Sequence, residues 1–157
     1  MVIDFPTAGR NGERTILKRL RKLRTWSVSD RWLLAQALVL LPLTFCGIYV
    51  FGIRRWQEIL RTFVPLRSQK NSTPDPGRAD RIAEIVTIAA HLGVYQASCL
   101  PRALVLWSLL RRNEIESAIR IGAQKERGQL AAHAWVEYLG IALNEKDGQV
   151  QQFSLLQ

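Results

Sequence analysis

Residues 95–112 read YQASCLPRALVLWSLLRR, and this stretch decides the fold. Proline is tolerated in the first turn of a helix, because the N–H it lacks has no intrahelical partner there. Pro101 therefore places Cys99 at, or just before, the start of a helix. From Pro101 to Arg112 that helix is apolar on nearly every face, which marks it as buried, and Asn113 is a plausible stop. A thiol at such a position meets the positive end of the helix dipole and free backbone N–H groups, and both favour the thiolate. The same N–H groups could hold an oxyanion.

Downstream the period changes from helical to alternating. Ala118–Ala123 (AIRIGA) and Ala132–Tyr138 (AHAWVEY) read as strands, with a turn at Gly140. Ile141–Asn144 reads as a short third strand. Lys146-Asp147-Gly148 reads as a hairpin turn leading to a fourth strand, Val150–Leu155. The fold class is α+β, a buried helix packed on a small antiparallel sheet. His133 lies on a strand next to the Cys99 helix and could pair with the thiolate as imidazolium. A carboxylate on the following strand would orient the ring, and Glu145 and Asp147 are both available. Helix-Cys, strand-His, strand-acid is the papain-like and transglutaminase-like order.

Each of these residues also has a plainer role. Cys99 could be structural, and His133 could be a satisfied histidine. Ser98 is a weaker nucleophile candidate, because a hydroxyl gains far less from a helix terminus than a thiol does. Trp135 could shield the imidazole or simply pack, and Glu137 could pair with Arg102 or Arg120 as a surface ion pair. His91, at a helix C-terminus, reads as structural. No metal site is expected, since Cys46, His91, Cys99 and His133 show neither C-x2-C nor H-x3-H spacing.

Upstream, Asp75 can cap a helix with Pro76 at its first position, and Ile82, Ile85, Val86, Ala89 and Leu92 form its apolar stripe up to Gly93. Trp32–Ile53 holds 22 residues without a charge, long enough to cross a bilayer. Gln36, Pro42 and a turn at Leu41-Pro42 or Gly47 weaken that reading, two buried core helices would give the same composition, and periodicity does not choose between the two; Cys46 within the run reads as a small buried hydrophobe. Arg10–Arg24 carries seven basic residues against Glu13, with Ile16, Leu17, Leu20, Leu23 and Trp26 at helical spacing, a basic amphipathic helix. The 157 residues bear a net charge of +9. Residues 1–81 hold 15 basic and 6 acidic side chains and residues 82–157 hold seven of each, so the whole surplus lies in the first half. A nucleic-acid enzyme would carry positive charge around its site as well, so nucleic acid is not expected as a partner. The chain divides into a basic extension (1–27), an apolar helical region (28–66), a polar linker (67–76) and a core (77–157).

Ser98–Arg112 (SCLPRALVLWSLLRR), Ala118–Gln124 (AIRIGAQ) and Ala131–Glu145 (AAHAWVEYLGIALNE) together resemble the transglutaminase-like cysteine peptidases of lasso-peptide maturation, the standalone protease half of a split leader-processing protein. The resemblance covers about residues 28–157. It implies a papain/transglutaminase-like core preceded by a helical part, and a thiol peptidase that removes the leader from a ribosomally made precursor without a cofactor. Carried over by position, it makes Cys99 the nucleophile and His133 the general base. The third member falls on Glu145, where the family more often has Asp; Asp147 is the fallback. The partners implied are the precursor peptide, a separate leader-binding protein and an ATP-dependent macrolactam cyclase. The apolar run would belong to a cytoplasmic or peripherally membrane-attached part. The rival reading is a non-catalytic, membrane-associated scaffold of the same maturation machinery.

Overall fold

The computed structural model describes residues 26–63, 75–92, 97–126, 129–143 and 154–155. The basic segment Arg10–Arg24, most of the 67–76 linker, Gly93 and the turn at Lys146–Gly148 lie outside them. Among the described residues, four helices precede a four-stranded sheet: α1 (Val28–Phe51), α2 (Ile53–Phe63), α3 (Pro76–Leu92), α4 (Cys99–Arg112), then β1 (Ala118–Glu126), β2 (Gln129–Tyr138), β3 (Ile141–Leu143) and β4 (Ser154–Leu155). From Leu33 onward the chain forms one compact unit.

Helix α1 begins at Ser27, whose Oγ accepts the Asp30 N–H at 3.1 Å. It runs unbroken past both expected turn positions. Pro42 is exposed, so its ring needs no room on the packed face. The packed face is the stripe Ala37, Leu41, Thr44 and Gly47. Gly47 is a contact point rather than a turn: a Cβ there would overlap the indole of Trp56 on α2. The break comes at Gly52, with φ +78°, a conformation that L side chains rarely adopt. Cys46, expected to be buried, is exposed. It lies about 100° around the helix from Gly47 and farther still from Ala37, Leu41 and Thr44, on the side away from the packed stripe.

Helix α3 starts as its sequence indicates. Asp75 Oδ1 accepts the Arg78 N–H at 2.9 Å, and Pro76 takes the first position. Its buried face includes Ala79, Ile82, Val86 and Ala89, packed on α4. Helix α4 is enclosed, with every residue from Ala103 to Leu110 buried. Asn113 closes it, its side-chain N–H donating to the Leu109 carbonyl at 2.8 Å. The Asn113 carbonyl oxygen in turn accepts from Arg78 at 2.8 Å, which ties the end of α4 to the start of α3. Trp107 donates to the Ser117 carbonyl at 3.2 Å, and the guanidinium groups of Arg61 and Arg111 lie 5.8 and 5.6 Å from its ring centroid.

The sheet order is β3-β2-β1-β4, antiparallel throughout. Strands β1 and β2 pair from Ala118↔Glu137 to Glu126↔Gln129, beyond the alternating stretches, because the ladder is made by backbone and continues where side-chain patterning stops. Leu139 and Gly140 both take positive φ, 51° and 79°, and form the two-residue turn into β3. The expected hairpin neighbour of the third strand is not the observed one. β4 pairs with β1, Gly122 opposite Leu155, at the far edge of the sheet. Ala134, Val136, Tyr138 and Leu143 join Leu104, Leu109 and Leu110 in the core, so β2 lies directly on the Cys99 helix.

Candidate active site

Cys99 is the first residue of α4, and Ser98 precedes it as an extended residue with φ −62° and ψ 167°. The first intrahelical bond runs from the Arg102 N–H to the Ser98 carbonyl at 3.3 Å. The N–H groups of Cys99 and Leu100 therefore have no partner within the helix, and Pro101 has none to offer. Cys99 is half-buried, packed at the margin of the core.

His133 sits in the middle of β2, opposite Gly122 on β1. The packing of β2 on α4 brings its side chain into hydrogen-bonding reach of the Cys99 thiol, and the backbone of Ala134 reaches the same sulfur. Burial pushes the thiol pKa up. Hydrogen bonds from His133 and from the Ala134 backbone, the charge of His133 and the Leu100 backbone pull it down, and together they win, so the thiol ionises below its ordinary value. Trp135 lies stacked beside the imidazole, with ring centroids 6.2 Å apart and planes 19° apart. It is 4% exposed, so one side of the imidazole faces a dry wall.

The other sequence-derived candidates sort cleanly. Ser98 is exposed, and its side chain makes no cap hydrogen bond. His91 Nδ1 lies 2.7 Å from the Thr87 carbonyl at the end of α3. Glu137 takes the guanidinium of Arg120, Nε to Oε2 at 3.2 Å and Nη2 to Oε1 at 3.3 Å, a solvent-screened pair on the sheet surface. Glu145 and Asp147 lie outside the described residues. Among those that are described, no group of three or more His, Cys, Asp or Glu gathers as a metal site would require. Among the described residues, the backbone of Ala134 is a participant that sequence reading missed. No side-chain identity signals it, because only the seating of β2 against the α4 terminus puts it there.

Residues 48–157 match the sequence profile of a family described as the transglutaminase-like superfamily. The chain belongs to this superfamily. The fold agrees: a helix that opens on a cysteine, packed on an antiparallel sheet that carries a histidine, is a transglutaminase-like α+β domain. The superfamily is in general one of cysteine peptidases and transferases. Neither the curated proteins nor the solved structures yield a match.

Proposed function

We propose that this transglutaminase-like domain is a cysteine peptidase that removes the leader from a lasso-peptide precursor, presented by a separate leader-binding protein ahead of a macrolactam cyclase. The observation that carries the chemistry is the Cys99–His133 pair, in which a thiol at a helix N-terminus ionises below its ordinary value next to an imidazole. The lasso-peptide substrate rests on the resemblance of the Ser98–Arg112 and Ala131–Glu145 blocks.

The Cys99 thiolate attacks the carbonyl carbon of the last leader residue. The N–H groups at the start of α4 receive the oxyanion. The C–N bond breaks as the His133 imidazolium gives its proton to the leaving amine. Water then attacks the thioester, His133 takes its proton, and the carbon–sulfur bond breaks to release the leader acid and restore the thiol. Glu145 holds the imidazole in its working tautomer, with Asp147 as the alternative carboxylate.

The test is mass spectrometry of the precursor peptide mixed with this protein and the leader-binding protein encoded beside it. A single cut that is lost in Cys99→Ala supports the reading. A cut that persists in Cys99→Ala overturns the nucleophile. No cut by folded protein, together with slow alkylation of Cys99, favours the scaffold. Glu145→Gln lowers the rate roughly 10- to 10⁴-fold, as loss of the acid member does in other triads. If Asp147→Asn is the damaging change instead, the carboxylate is Asp147.

A further inference from the structure

We propose that α1 is an interfacial helix that docks this domain on an anionic bilayer surface, with its exposed stripe entering the headgroup–acyl boundary and the rest of the fold remaining in water. The inference stands apart from the peptidase reading, since none of its residues belongs to the Cys99–His133 site.

The exposed side of α1 has the wrong chemistry for water. Val39, Leu43, Phe45, Cys46, Tyr49, Val50 and Phe51 are all exposed, Tyr49 to 87%, Val50 to 68% and Val39 to 66%. No charged residue occurs between Arg31 and Arg54. These residues run from Val39 to Phe51, about 18 Å along the helix, and together exceed the isolated apolar side chains that surfaces normally carry. None of these residues is charged, which suits the acyl boundary of a bilayer, and the exposed arginines stand beyond the stripe's end, where headgroups would meet them. Phe45, Tyr49 and Phe51 put aromatic rings on the exposed side, as in-plane interfacial helices do.

The charge is complementary to an anionic surface. Arg54 and Arg55 follow the stripe directly and are exposed. Seven basic residues between Arg10 and Arg24 precede it. The whole surplus of nine positive charges lies in residues 1–81, the half of the sequence that contains α1.

Helix α1 is long and apolar enough to span a membrane by length and composition. Two features argue that it lies in the surface instead. The stripe Ala37–Leu41–Thr44–Gly47 is buried against the protein's own fold. Its packing partner α2, seated on Gly47 through Trp56, exposes Arg54, Arg55, Glu58 and Arg61, which a spanning α1 would draw toward hydrocarbon. Basic residues on both flanks also provide no inside–outside asymmetry.

The test is co-sedimentation of the full chain with phosphatidylcholine vesicles, with and without about 30 mol% phosphatidylglycerol. The wild type binds the anionic vesicles and washes off in alkaline carbonate. Val39→Glu combined with Val50→Glu, at exposed positions outside the core, lowers the partition coefficient at least ~10-fold. Arg54→Glu combined with Arg55→Glu does the same on anionic vesicles, with far less effect on neutral ones. A fluorophore on Cys46 in the Cys99→Ser background shifts to the blue on binding. Circular dichroism confirms that each variant is folded. Retention through the carbonate wash overturns the proposal in favour of a spanning helix. Failure of the folded wild type to bind anionic vesicles overturns it outright, and so does binding that both double variants leave unchanged.

Discussion

Helices α1 and α4 both present apolar side chains on nearly every face of their central turns, and each carries one of the chain's two cysteines. In the fold they are opposites. Helix α4 lies between α3 and the sheet, and its residues from Ala103 to Leu110 are all buried. Helix α1 buries one stripe of four residues, flanks it with half-buried leucines, and leaves Val39, Leu43, Phe45, Tyr49, Val50 and Phe51 exposed. The cysteines follow suit. Cys46 lies mid-helix on the open side of α1, whereas Cys99 sits half-buried at a helix terminus with an imidazole and two backbone groups around its sulfur. Hydrophobicity sets how much a segment gains by leaving water. The neighbours decide whether it leaves water into protein, and what chemistry its side chains then meet.

That contrast can be broken most severely in α4. Leu109→Ala deletes a fully buried side chain and should cost about 2–5 kcal/mol by urea denaturation. A loss below about 1 kcal/mol would mean that α4 is not enclosed as described. The cysteine contrast is sharpened by His133→Ala. Removing the imidazole takes away two of the influences that lower the Cys99 pKa and leaves burial, which raises it, so less thiolate is present below neutrality. In wild type, site-resolved mass spectrometry should find Cys99 alkylated faster than Cys46 at about pH 6.5, although it is the less exposed thiol. In His133→Ala the Cys99 rate should fall by about tenfold or more at that pH and recover as pH rises, since a raised pKa delays ionisation without preventing it. An unchanged rate would separate the imidazole from the thiol.

Smaller effects probe α1. Gly47→Ala puts a methyl group into the Trp56 ring and forces α2 to shift, a cost of about 1–3 kcal/mol with a change in tryptophan fluorescence. A neutral result would show that the α1–α2 contact is loose. On the opposite side, Val39→Ala should change stability by no more than about 0.5 kcal/mol, since the side chain is already in water. A larger loss would show that this side of α1 packs on protein after all.

Much of the fold was legible because its signals are local. Asp75-Pro76 caps and opens a helix through atoms three residues apart, and Asn113 closes one in the same way. Cys99 could be placed at a helix start because Pro101 permits few other arrangements. The Leu139-Gly140 turn was legible at its glycine. Three readings failed where the deciding partner is distant in sequence. Gly47 was taken as a turn candidate and is a seat for Trp56. Cys46 was taken as buried and faces out, because hydropathy does not say which stripe of a uniformly apolar helix meets the core. The last strand was expected beside the third and pairs with β1, because sequence adjacency does not choose between the two free edges of a sheet.

By itself, then, the sequence determined the α+β class, the helix that begins at Cys99, the strand that carries His133 and the family to which both belong. These follow from periodicity, capping and motif, which act within a few residues along the chain. Only the tertiary structure decided that His133 and the Ala134 backbone converge on one sulfur, that Trp135 walls the imidazole, and that α1, unlike α4, leaves an apolar side open. Each of those depends on which surfaces meet, and burial and proximity change a thiol's proton affinity only after the chain has brought remote residues together.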